Sequence, residues 1–163
     1  MILAFCIAVT IVTLALGGLL TEIGPWYYNL SVPPWKPPNW AFAPIWTSIG
    51  VFTVLAANLA LHAATGTPRA VLVALFLLNA VLNSLWSLFF FKLRRPDWAL
   101  VEVAALWLSV LSLVLACWPI RHRAALLLLP YLLWVSIAAT LNRAIVRRNG
   151  SFARAKALAT HGP

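Results

Sequence analysis

The chain has 163 residues, 63% of them hydrophobic and 9% charged, with a mean hydropathy of +0.93. That composition excludes an ordinary soluble domain, and the length leaves no room for a separate catalytic domain, Rossmann unit or nucleotide loop beside the apolar segments. Twelve basic against three acidic side chains give a net charge of +9, but their placement argues for membrane topology and against a nucleic-acid partner.

Residues 1–20, 37–68, 70–91, 103–120 and 124–142 carry no charged side chain. Each run reaches or nearly reaches the roughly 20 residues that a helix needs to cross a bilayer, and its continuous apolarity is unlike the alternation of a barrel strand. The expectation is an all-α membrane protein in which residues 1–150 form a bundle of five transmembrane helices. The spans fall at about 2–20, 43–63, 69–92, 97–118 and 123–147, and 151–163 forms a basic, flexible tail suited to anionic membrane lipids.

In chain order, Met1–Leu20 lacks the basic start of a signal peptide and is long enough to span, so it is read as the first helix, with Thr10, Thr13 and Gly17 as packing positions. Cys6 and Cys117 lie in apolar runs without CxxC spacing and read as buried hydrophobes. The connection that follows holds six prolines in residues 25–44, which excludes a helix there and makes a stiff loop. An interfacial belt would spread its aromatics over both faces of the membrane. Concentrating Trp26, Trp35, Trp40, Phe42 and Trp46 in one connection instead suggests a lid over a cavity.

The second span continues from Trp46 through Gly50 and Thr53. In the third, Asn79, Asn83, Trp86 and Phe90 recur at helical spacing, and amides avoid lipid, so this stripe faces the interior. Glu102, one turn into the fourth span and near Lys92, Arg94 and Arg95, reads as a paired or snorkelling carboxylate in preference to a proton relay, with Trp98 and Trp118 as belt residues. Tyr131, Trp134, Ala138, Leu141 and Asn142 form the matching stripe of the fifth span. His62 and His122 fall at span ends on one side, where shared ligation of a haem iron is conceivable and an interfacial position is the ordinary reading.

Nine basic residues (Lys36, Lys92, Arg94, Arg95, Arg143, Arg147, Arg148, Arg154 and Lys156) fall on the side of the first connection, against Arg69, Arg121 and Arg123 on the other. This bias predicts a bacterial inner-membrane protein with its N-terminus outside and its C-terminus cytoplasmic.

The segment Pro25 to Ser48, PWYYNLSVPPWKPPNWAFAPIWTS, resembles the WYxxLxKPxWxPPxWxFxPxWT signature of the tryptophan-rich sensory protein, or translocator protein, family. Asn83 to Phe90 is similar to its LNxxWxxxFF block and Pro130 to Asn142 to PYLxWxxFAxxLN, in the same order across nearly the whole chain. Val32, Gly50 and Asn79 stand where the family commonly has lysine, tyrosine and glutamine, departures that bear on ligand polarity and leave the fold expectation intact.

The resemblance implies a five-helix bundle, usually a homodimer, whose pocket binds tetrapyrroles such as protoporphyrin IX or haem as ligand, with no obligatory cofactor and no metal site. The expected ligand-binding residues are Trp35, Lys36, Trp40, Trp46, Asn79, Asn83, Trp86, Tyr131, Trp134, Ala138, Leu141 and Asn142. A receptor or sensor is the first reading. The alternatives are a light- and oxygen-dependent porphyrin-degrading enzyme, in which Trp46 and Trp134 would be the catalytic indoles, and a tetrapyrrole or sterol transporter. The sequence supplies no nucleophile, acid/base pair or metal triad, so any chemistry would belong largely to the excited ligand.

Overall fold

A computed structural model describes residues 1–150; the expected tail, 151–163, lies outside the described residues. The elements are α1 (Ile2–Leu20), the single turn α2 (Pro25–Tyr28), α3 (Asn39–Ala63), α4 (Gly66–Ser87) running on into a π-helical turn (Leu88–Lys92), α5 (Pro96–Cys117) and α6 (His122–Asn149). Among the described residues, five helices are long and apolar enough to cross a membrane. Helices suit such sequences because each satisfies its backbone hydrogen bonds internally, where hydrocarbon offers no alternative partner.

The helices pack in a ring. α1 lies against α3 and α4, α3 against α6, α6 against α5, and α5 against α4, while α3 and α4 meet only sparsely. Away from the long first connection the core is small-grained: Ala56, Ala57, Ala60, Ala124 and Ala125 bring α3 and α6 together with Leu61, Leu72, Leu113 and Leu128. Cys6 and Cys117 are buried in the same cluster as free thiols. At the opposite end the core turns aromatic, with Tyr27, Phe90 and Phe91 packed on Ala99, Leu141 and Ile145.

Two features differ from the sequence reading. The proline-rich connection is not wholly non-helical: Pro25 opens α2, where a first-turn proline lacks only an N–H that has no helical partner. α3 begins at Asn39, four residues before the expected 43, with Pro38 as its cap and Pro44 inside it. A proline so near a helix start costs one hydrogen bond, to the Trp40 carbonyl, and does not end the helix. The second difference is the π turn, where the Leu93 N–H donates to the Leu88 carbonyl at 2.8 Å. Its wider winding turns Phe90 and Phe91 inward together, and both are buried.

Contacts bring the first connection, the α4–α5 connection and the end of α6 to one end of the bundle. Lys92 pairs with Glu22, whose carboxyl is held below the usual carboxylate range by that ammonium. The Ser31 N–H donates to Asn149 Oδ1 at 2.9 Å, and Asn149 Nδ2 donates to the Ser31 carbonyl at 2.9 Å. Arg95 pairs with Asp97 at 2.5 Å and stacks over Trp98 at 4.3 Å. At the other end His122, exposed, meets Trp118 edge-on at 5.1 Å.

The paired bonds to Ser31 make Asn149 the clamp on the first connection. Asn149→Ala is expected to cost about 1 kcal/mol of stability and to speed amide hydrogen exchange over residues 29–38 without altering helix content.

Candidate ligand-binding site

The sparse meeting of α3 and α4 leaves a cavity of about 380 Å³ between α1, α3 and α4. Its aromatic wall is Trp46 and Phe42 of α3, Trp86 of α4, Phe91 of the π turn and Tyr27 of α2. The α1 side is nearly bare, with Leu14, Gly17, Gly18 and Thr21. Below it lies a smaller space of about 50 Å³, bounded by Thr10, Trp46, Asn79, Asn83 and Tyr131. Thr13, Leu14, Trp46 and Asn83 border both spaces, so the two form one column interrupted by side chains.

The amide stripe of α4 sets the orientation of this wall. Asn79 Nδ2 donates to Ser109 Oγ of α5 at 2.8 Å, and Asn83 Nδ2 donates to the Tyr131 hydroxyl of α6 at 2.8 Å. Those bonds fix the rotation of α4, and Trp86, three residues past Asn83, follows on the same stripe. The indole stacks on Phe90 at 5.2 Å and meets Phe91 edge-on at 5.9 Å. Its N–H is buried without a partner. Trp46 is held edge-on against Tyr131 at 6.0 Å.

Lys36 stands at the mouth. Its ammonium donates to Asn39 Oδ1 at 2.6 Å, the Pro37 carbonyl at 3.1 Å and the Tyr27 hydroxyl at 3.4 Å. Tyr27 and Asn39 both line the cavity, which places the positive charge one residue behind its wall. Partial burial pulls the Lys36 pKa below that of an ordinary lysine, and burial pushes the Tyr27 hydroxyl up.

Of the residues expected from sequence, Trp46, Asn83 and Trp86 line the main cavity, Asn79 and Tyr131 line the smaller space, and Lys36 guards the mouth. The others stand elsewhere. Trp35 of the connection and Trp40 of the first turn of α3 are exposed, at 52% and 77%. Trp134 is buried against Phe42 at 5.6 Å and borders an outer groove between α3 and α6, together with Pro44 and Pro130. Trp134 shares a buried cluster with Trp46 and Trp86 but lines neither space: the α6 stripe splits, with Tyr131 turned to the α4 amides and Trp134 to Phe42 of α3. Leu141 joins the aromatic core under the π turn, Ala138 is half-buried, and Asn142 is fully buried with neither amide atom bonded. None of Ala138, Leu141 and Asn142 lines either space.

Sequence reasoning missed Tyr27, Asn39, Phe42, Thr47 and Phe91 as wall residues. Tyr27, Asn39 and Phe42 sit inside the proline-rich motif, and their signal was available in the register of α3: Asn39, Phe42 and Trp46 fall at i, i+3 and i+7 once the helix is allowed to start before Pro44.

Glu102 also departs from expectation. The carboxyl is buried, at 7% exposure, and neither oxygen has a hydrogen-bond partner. Lys92 and Arg95 are engaged by Glu22 and Asp97, and Glu102 lies on the inward face of α5 with Ala99, Val103 and Leu106. The Trp107 indole N–H donates to Ser136 Oγ across the antiparallel α5–α6 pair, which puts Glu102 level with Leu141 and Asn142.

With that geometry in view, the comparisons with known proteins decide the family. The model of the TspO/MBR family matches residues 4–148. This chain belongs to that family. It is 37% identical over 152 residues to "Tryptophan-rich protein TspO" of Chlorobaculum tepidum, covering 90% of this chain and 95% of that protein. It is 32% identical to "Protein CrtK" of Rhodobacter capsulatus over 81% of this chain and 83% of that protein. With "Translocator protein" of Sus scrofa the identity is 33%, over 83% and 85%. The chain is thus an integral membrane protein of the TspO/MBR family.

A buried carboxyl without partners is a destabilising group that an apolar side chain of similar size relieves. Glu102→Leu is expected to raise thermal stability in detergent, by on the order of 1–3 kcal/mol. A loss of stability would contradict an unpartnered carboxyl at this position.

Proposed function

We propose that this protein is a membrane receptor or sensor for a tetrapyrrole, protoporphyrin IX or haem, bound in the cavity between α1, α3 and α4. The observation that carries the reading is the wall itself. Trp46, Trp86, Phe42, Phe91 and Tyr27 line a space of about 380 Å³, and one indole N–H in that wall is buried without a partner. A flat conjugated ring stacks on aromatic side chains, while a few polar groups orient it. Lys36 supplies a cation at the mouth for the propionates of a porphyrin. The charge bias of nine basic residues to three supports a cytoplasmic position for that mouth and for the C-terminus, with the N-terminus outside.

The wall contains no paired carboxylates, nucleophile with base, or cluster of metal ligands among the described residues. The indole pair of the degrading-enzyme reading is divided between the cavity, which has Trp46, and the outer groove, which has Trp134.

Titration of purified protein with protoporphyrin IX, followed by quenching of the remaining tryptophans, tests the reading. Trp46→Phe and Trp86→Phe are each expected to weaken binding about tenfold, the loss of roughly 1.4 kcal/mol of stacking. Trp134→Phe is expected to leave affinity within about twofold. Equal losses for Trp134 and Trp86 would move the site to the α3–α6 side.

A further inference from the structure

We infer that the ligand enters the cavity sideways from the bilayer, through a portal between α1 and α3 that Leu14 closes over Gly50. The inference rests on the binding reading above and adds the route and the gate to it.

A groove of about 270 Å³ runs along the outer, lipid-facing side of the α1–α3 junction. Thr10, Leu14 and Gly50 line this groove and also line the small interior space; Leu14 and Thr47 line the groove and also the main cavity. Where the same side chains face both the outside and the inside, the wall is one side chain thick. Gly50 makes the closure possible. A Cβ built at that position would stand 2.8 Å from Leu14 Cδ1 and 3.2 Å from Thr10 Cγ2, so the leucine sits in the space that any other residue would occupy.

The helix that closes the portal is also the one least tied to its neighbours. Side-chain hydrogen bonds cross from α4 to α5, from α4 to α6 and from α5 to α6, through Asn79, Asn83 and Trp107. On α1 the Thr13 hydroxyl returns to the Val9 carbonyl, and on α3 the Thr47 hydroxyl returns to Ala43, so these groups satisfy themselves within their own helices. Cys6, far from the portal's upper end, is the one buried α1 side chain. In a bilayer, parting two apolar helix faces exposes them to lipid tails as apolar as they are, so the hydrophobic effect does not hold the seam shut. Packing of Leu14 on Gly50 does.

The water-facing end is fastened more firmly. Lys92 binds Glu22, Asn149 binds both backbone groups of Ser31, and Lys36 bonds Asn39 and Tyr27. A route through that end must break these contacts. The α1–α3 route breaks no side-chain hydrogen bond between the two helices and displaces Leu14 from Gly50, and it suits a ligand whose macrocycle dissolves in the membrane while its charged edge stays at the interface near Lys36.

A reversible tether tests this. The closeness of the Thr10 methyl to the residue-50 Cβ position puts Thr10→Cys and Gly50→Cys within disulfide reach. The pair is made in a Cys6→Ala/Cys117→Ala protein, which is the reference for binding, and the reduced pair, in which the Gly50→Cys side chain already displaces Leu14, is the reference for rates; both are reconstituted in lipid vesicles, with protoporphyrin IX binding and release followed by stopped-flow tryptophan quenching. Oxidation is expected to slow both rates by about tenfold or more, with little change in equilibrium affinity, and dithiothreitol to restore them. Leu14→Ala, which needs no disulfide, is expected to speed both. A Ser31→Cys/Asn149→Cys tether across the other end is expected to leave the rates unchanged. Unchanged rates in the oxidised Thr10/Gly50 pair or in Leu14→Ala, or slow rates in the Ser31/Asn149 tether, overturn the portal while leaving the cavity assignment standing. Absence of saturable quenching in the reference protein overturns the binding reading, and the portal with it.

Discussion

Two amides on α4 determine how this bundle is arranged. In a bilayer apolar surface gains little from burial against another helix, so the few polar side chains within the span decide which faces turn inward, at about 1 kcal/mol for each bond. Asn79 reaches Ser109 on α5 and Asn83 reaches Tyr131 on α6. With the Trp107 to Ser136 bond they lash α4, α5 and α6 into a unit. α1 and α3 complete the ring around a space that the unit leaves open, and Trp86 faces that space because the amides before it have fixed the helix's rotation.

The same ladder separates what was legible in the sequence from what was not. Charge-free runs located the spans, since the cost of an ionised group in hydrocarbon is large and local, and α1 and α5 came within a residue of the expected limits. The interior direction of Asn79, Asn83 and Trp86 was legible for the related reason that an amide facing lipid has no partner. The rest depended on neighbours. The proline-rich connection read as wholly non-helical because prolines disfavour helix interiors, whereas Pro25 opens α2 and α3 starts at Asn39, ahead of Pro44. Trp134 read as a wall of the interior because spacing gives a stripe but not which neighbouring helix each member meets; its partner Phe42 became available only through the early start of α3. Glu102 read as paired because charges lie nearby in sequence, yet Lys92 is taken by Glu22 and Arg95 by Asp97, and the carboxyl is turned inward.

The cavity draws its character from an economy of polar atoms. Five aromatic side chains stand in its wall, the hydroxyl of Tyr27 and the amide of Asn39 lie near its mouth, and the indole N–H of Trp86 is buried without a partner. Such a lining is compatible with the rigid, largely apolar ligand proposed above. The α1 wall differs from the others in being built of glycines, threonines and one leucine, which lets it close tightly and part without exposing unsatisfied polar groups to lipid.

The central claim is that the ligand lies between α1, α3 and α4, against Trp46 and Trp86. A crystal structure of the complex with protoporphyrin IX tests it most directly. The account predicts macrocycle density in contact with both of those indoles, with the propionates directed toward Lys36. Density seated in the α3–α6 groove against Trp134, Pro44 and Pro130, with the α1–α3–α4 space unchanged, would contradict it.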